Sequence, residues 1–196
     1  MDIIFDKDKD YNDFIKNIKK CTLCPLCEKR TNVVTGDGNI NSKIMIVGEG
    51  PGEDEDIKGI PFVGKAGQLL DKILNSVGFD RKENIYITNV VKCRPPQNRD
   101  PEKEEIKTCS AYLLFQIELI KPEIIITLGN HALNFFVENS SGITKMRGKI
   151  YSWNNIKIIP MYHPSYLLRN MDTPKYEILR KETWYDINLV KNNISS

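Results

Sequence analysis

Four short apolar runs, at 43–47, 85–91, 123–128 and 156–161, are spaced along the chain with helix-patterned segments between them. Runs of this length, rich in isoleucine and valine and apolar at successive positions, are strands buried on both faces. Such strands need helices above and below, and strands that alternate with helices pair in parallel. The expectation is an α/β fold, a three-layer α/β/α sandwich with a central, mainly parallel four-stranded sheet. A chain of 196 residues suits one domain, 1–196, and 40% hydrophobic with 28% charged residues is an ordinary globular balance.

The helical segments are read from their spacing. Tyr11, Phe14, Ile15 and Ile18 lie on one face of a helix over 8–20, and Leu69, Leu70, Ile73, Leu74 and Val77 on one face over 66–77, closed by Gly78. Prolines break the segment 94–101, and Pro101 opens a helix to about 120 with Glu102, Glu104 and Glu105 in its first turn. Gly129 stops the third strand and Asn130 is placed to cap a short helix through Val137, while 176–190 forms the closing helix. In a parallel sheet the segments after the strands gather along one edge, where open α/β sheets hold their ligands. Here they are 48–56, 89–94, 129–131 and 163–165.

The run GEGPGEDED at 48–56 combines glycines and a proline, which allow a tight turn and close backbone approach, with several carboxylates. That is the composition of a site. Net charge is only +2, but no acid occurs between Glu138 and Asp172 or between Glu83 and Asp100. The first stretch holds Lys145, Arg147, Lys149, Lys157 and Arg169, and the second Lys92, Arg94 and Arg99. Each suits either a solvated surface or the grip on a polyanion beside a reacting pocket.

The N-terminus MDIIFDKDKDY is too acidic for an export signal, and no apolar run reaches membrane-spanning length, so the expected setting is intracellular, cytoplasmic or nucleoid-associated, with no membrane partner. Five cysteines without an export signal argue against a disulfide framework and for metal binding. Cys21 and Cys24 form a C-x-x-C pair, and Cys93 and Cys109 flank a loop and a helix start. Cys27 leaves a rival set open, Cys21, Cys24 and Cys27 with one distant cysteine, and zinc is the lesser alternative to an iron-sulfur cluster.

Taken together, GEGPGEDED, Phe62, Asn89 at the second strand's end, KCRPPQNRDP from Lys92 and HPSYLLR from His163 resemble family 4 uracil-DNA glycosylases, the iron-sulfur-containing branch of that superfamily. The likeness runs from Cys21 to the last helix. It implies a base excision repair enzyme, a monomer, that hydrolyses the N-glycosidic bond of flipped-out deoxyuridine in single- or double-stranded DNA. It also implies a 4Fe-4S cluster of structural role on Cys21, Cys24, Cys93 and Cys109, and no nucleotide cofactor.

Residue by residue, the resemblance implies that Phe62 stacks on the base and the Asn89 amide reads its Watson-Crick edge. His163 would donate to the uracil 2-carbonyl, and Glu49 would hold the attacking water and stabilise the cationic sugar. Gly50 and Gly52 would permit close backbone approach, with Gly50 standing where the superfamily often has aspartate. Glu55 would obstruct the thymine methyl, leaving Glu53, Asp54 and Asp56 as solvated neighbours. Arg94, Arg99, Ser165 and Arg169 would contact DNA, and Leu167 or Leu168 would fill the gap in the base stack unless both belong to the core.

Two other readings stand beside this one. The first is a superfamily relative of altered base range or one that attaches covalently to DNA, the latter opposed by the lack of an inserted histidine-bearing segment at 94–101. The second is a non-catalytic iron-sulfur module that binds DNA or associates with a polymerase. Neither a replication clamp nor a polymerase is named as recruiting partner by any motif.

Overall fold

The computed structural model describes residues 6–194, so both ends of the expected 1–196 domain, including the start of the N-terminal segment, lie outside the described residues. Helix α1 spans Lys7–Ile18 and is followed by an irregular cysteine-bearing stretch. The sheet comprises β1 (Asp37–Gly38), β2 (Ile44–Gly48), β3 (Ile85–Asn89), β4 (Ile124–Leu128), β5 (Tyr151–Trp153) and β6 (Ile156–Met161), in the order β1-β3-β2-β4-β6-β5.

The class is the expected one, but the sheet has six strands rather than four. β2, β3, β4 and β6 are parallel, and β1 and β5 cap the two edges in antiparallel pairing. The two extra strands are two and three residues long and part-exposed, so they carry no apolar run that a sequence pattern would register.

Alternation along the buried strands assigns the helices to their faces. Ile44 and Ile46 of β2 face α3 (Lys65–Asn75) and α8 (Tyr176–Lys191), packing with Leu70, Leu74, Ile187 and Val190. Met45 and Val47 face the other way, toward Phe14 and Ile18 of α1, Leu113 and Ile117 of α4 (Lys103–Ile120) and Phe136 of α5 (Gly129–Phe136). Since α3 follows β2 on one face and α5 follows β4 on the other, the adjacent carboxyl ends of β2 and β4 form a topological switch point, the crevice such sheets use for ligands.

One helix has no counterpart in the sequence pattern, and one local reading is corrected. The acidic part of GEGPGEDED is helical: α2 spans Glu53–Lys58, because its first-turn acids complement the helix dipole and the Glu55 carboxylate accepts from the Gly52 N–H at 3.2 Å. Asn130 lies inside α5 rather than capping it, and its Oδ1 accepts from the backbone N–H of Ile143, which opens α6 (Ile143–Met146). Helix α7, Pro164–Arg169, completes the set.

Candidate active site and cysteine pocket

The carboxyl ends of all four parallel strands open into one cavity of about 680 Å³, lined by Glu49, Gly50, Gly52, Asn89, His131 and His163 among others. Register fixes its floor, since Gly48 pairs with Asn89 across β2 and β3. A Cβ at Gly48 would lie 2.4 Å from Asn89 Oδ1 and 2.7 Å from Phe62 Cζ, so only glycine lets both side chains close over this point.

Asn89 is 1% exposed, and its Oδ1 has no hydrogen-bond partner among the described residues. A buried amide oxygen without a donor is costly, and this one lies on the cavity wall, open to a donor from a ligand. Its backbone is held firmly, the Lys92 ammonium donating to the Asn89 carbonyl at 2.6 Å.

Phe62 is buried in a left-handed turn at φ 53, a conformation that costs an aromatic residue energy and persists only where the surroundings enforce it. Arg81 donates to its carbonyl at 2.9 Å, and Gly67 leaves room for that carbonyl, since a Cβ there would sit 1.9 Å from it. The ring lies 5.6 Å from the His163 ring, tilted by 34°. Glu55 fastens the same loop, its Oε1 accepting from the N–H groups of Val63 at 2.8 Å and Gly64 at 2.9 Å.

His163 sits at the N-cap of α7, where its Nδ1 accepts from the Ser165 backbone N–H at 3.2 Å and lies 2.8 Å from Ser165 Oγ. With Nδ1 occupied as an acceptor, the neutral ring carries its proton on Nε2. Burial depresses the imidazole to about 4, Arg169 adding to the effect and Glu55 opposing it, so the ring is uncharged at neutral pH. For Glu49 burial raises the carboxyl, His131 counters the rise and Asp100 reinforces it.

Gly50 is closed to a side chain, because a Cβ there would lie 2.7 Å from Val91 Cγ2. An aspartate at this position would have to displace that wall. Glu49 is thus the acid that the end of β2 presents to the cavity.

Of the expected DNA contacts, Arg169 is exposed at the end of α7 and reaches Ser165 Oγ at 3.3 Å. Leu167 is 3% exposed and packs with Tyr162 and Leu179, so it belongs to the core, whereas Leu168 is part-exposed. Arg99 is committed to Glu105 at 2.7 and 2.9 Å, and Arg94 to Asn98 at 2.8 Å. In the basic stretches, Lys92 is 1% exposed and Arg147 pairs with the buried Asp186, which takes both out of any polyanion-binding surface. Asp56 is no solvated neighbour either, because its buried carboxylate accepts from the Thr31 and Asn32 N–H groups and anchors the cysteine-bearing stretch to α2.

Sequence reasoning gave His131 no role. The structure places its Nε2 3.7 Å from Glu49 and 3.3 Å from Asp100. The available signal was its place in the segment after the third strand.

A second, smaller cavity is lined by all five cysteines with Arg30, Lys92 and Tyr112. Cys93 and Cys109 are buried, and Cys21, Cys24 and Cys27 part-buried. Arg30 spans the pocket, donating to Cys93 Sγ at 3.3 Å and to the Cys21 carbonyl at 2.6 Å. Among the described residues no three of the sulfurs lie within 4.8 Å of one another.

With this geometry in hand, the chain can be placed. The model of the uracil DNA glycosylase superfamily matches residues 35–188, and the chain belongs to that superfamily. Several of its relatives are type-4 uracil-DNA glycosylases. A type-4 uracil-DNA glycosylase of Thermotoga maritima is 51% identical over 91% of this chain and 92% of its own length. Type-4 uracil-DNA glycosylases of Saccharolobus solfataricus and Sulfurisphaera tokodaii are each 46% identical, over 91% and 83% of this chain and 84% and 80% of their own lengths. Among the described residues no helix is long and apolar enough to cross a membrane.

Proposed function

We propose that this protein is a uracil-DNA glycosylase of base excision repair, which hydrolyses the N-glycosidic bond of flipped-out deoxyuridine to leave an abasic site and free uracil. The observation that carries the assignment is the unpartnered Asn89 Oδ1, buried in the cavity wall beside Phe62. Uracil brings an N–H to that oxygen and a carbonyl to the amide N–H₂, whereas cytosine reverses both groups and leaves the amide opposed by like partners. Phe62 provides the stacking surface, and the Glu55-braced loop leaves little room at the uracil 5-carbon for a methyl group.

Bond cleavage puts positive charge on the sugar and negative charge on uracil. The Nε2–H of His163 donates to the 2-carbonyl oxygen, where the anion gathers, and as a neutral donor it leaves the departing base unprotonated. Glu49 holds the attacking water, stabilises the cationic sugar and takes the water's proton as the new C–O bond forms. Arg169, Ser165, Arg94 and Arg99 approach the DNA backbone. Leu168, the leucine not absorbed by the core, is the residue that enters the stack.

Cys21, Cys24, Cys93 and Cys109 would hold a 4Fe-4S cluster, supported by the convergence of the cysteines on one pocket and by a cationic Arg30 suited to a thiolate-rich group. Such a cluster supplies a covalent tie between the N-terminal stretch and the loop before α4. Every group in the derived reaction comes from one chain, in keeping with a monomer.

Incubation with a labelled uracil-containing oligonucleotide followed by alkali tests the assignment. Strand scission at uracil is expected in single- and double-stranded DNA, and its absence from protein with an intact cluster overturns the reading. Glu49→Gln and His163→Gln should abolish turnover while DNA binding persists.

A further inference from the structure

Glu49 and His131 face each other across the switch point, one following β2 and the other in the first turn of α5, with Nε2 of His131 3.7 Å from a Glu49 carboxylate oxygen. Asp100, from the loop before α4, stands 3.3 Å from the same nitrogen. Three elements far apart in sequence thus bring an acid, a base and an acid together at the mouth of the cavity.

We propose that His131, held by Asp100, is a positioning residue for Glu49: its ring sets the direction of the carboxylate. The inference rests on the glycosylase reading of the cavity. Glu49 serves the cationic sugar only while it is ionised, and its part-buried place favours the protonated form. The other ionisable groups lining the cavity are Glu55, Arg99, Tyr162, His163, Tyr166 and Arg169. Glu55 is occupied by backbone N–H groups, Arg99 by Glu105, and His163 is neutral. His131 is the basic side chain within ion-pair reach of Glu49, and Asp100 holds the same nitrogen from the other side.

The geometry also explains how Glu49 manages without the neighbouring aspartate. A Cβ at Gly50 would press on Val91, and the group that meets Glu49 comes from across the crevice instead. His131 is the group within ion-pair reach there.

Single-turnover excision by the holoprotein, followed from about pH 5 to about pH 9, tests the proposal with His131→Gln and His131→Lys. In His131→Gln the acid limb should move to higher pH, giving about a tenfold loss on the acid side for each unit of displacement. Wild type and His131→Gln should converge on the alkaline side, where Glu49 is ionised in both. His131→Lys, which carries a charge, should restore the acid limb at least in part. A uniform loss at every pH with an unchanged profile shape, or no change at all, overturns the proposal, as does loss of wild-type activity on chelation while the cysteine pocket keeps its metal. Wild-type protein that excises no uracil at any pH refutes the enzymatic reading instead, so the two failures are separable.

Discussion

The buried Nζ of Lys92 donates to the backbone carbonyl of Asn89 at 2.6 Å, and Lys92 stands one residue from Cys93, so Asn89 and the cysteine pocket share a support. Lys92 also donates to Thr88 Oγ1 at 2.7 Å and to Gln116 Oε1 at 2.6 Å. Lys92→Met would leave these buried acceptors without their donor, at about 1 to 3 kcal/mol for each group stranded. Reduced thermal stability and a lower kcat/KM on uracil DNA are expected together. An unchanged melting temperature would show that the lysine bonds contribute nothing net.

Replacing the Asn89 amide tests recognition directly. Asn89→Asp places a carboxylate oxygen opposite the uracil 4-carbonyl and removes the donor that faced it, while the buried Oδ1 acceptor remains. Excision of uracil should fall by at least about a hundredfold. Residual activity should move toward cytosine, whose amino group matches the new acceptor. Oligonucleotides that carry one U or one C in the same context give the ratio, and a variant that retains the wild-type preference would refute the assigned role.

Colour separates the ligand sets of the cysteine pocket. If Cys21, Cys24, Cys93 and Cys109 hold the cluster, Cys27→Ser stays brown with unchanged iron content, whereas Cys109→Ser loses both. Loss on Cys27→Ser with retention on Cys109→Ser would establish the rival set. A colourless wild type containing stoichiometric zinc would remove the cluster altogether.

What the sequence revealed and what it hid follow one physical division. β2, β3, β4 and the second half of β6 are buried on both faces, so hydrophobicity alone marks them, and the site residues that directly follow them were legible for that reason. β1 and β5 are edge strands defined by hydrogen bonding to a neighbour, which leaves no apolar signature. Lys92, Arg147 and Asp56 read as surface charges because charge usually is surface, yet Lys92 and Asp56 are buried and Arg147 part-buried, each against a partner 24 to 39 residues away in the chain. Likewise the pairing of Glu49 with His131 arises only once the switch point brings the ends of β2 and β4 side by side.

His163 yields a prediction in which stability and activity part company. Its folded value of about 4 lies below the 6.5 of an exposed histidine, so between those values the unfolded chain binds more protons than the folded one. Stability from this group is therefore complete above about pH 6.5 and declines as pH falls toward 4, to a loss of roughly 3 kcal/mol. The buried Asp186, raised to about 6 by desolvation, tilts stability the opposite way over part of that range, so the comparison must be with His163→Gln rather than with an ideal curve. The difference between wild type and His163→Gln in urea unfolding should shift in the variant's favour as pH drops from 6.5 toward 4. Excision by wild type, by contrast, should show no inflection from His163 above about pH 5, since the donor is neutral throughout. Arg169→Gln should raise the midpoint of the His163 ring resonances in an NMR titration, because the guanidinium helps keep the ring neutral. A midpoint near 6.5 in the wild type would mean that the ring is charged through much of the working range, and the neutral-donor role of His163 would have to be abandoned.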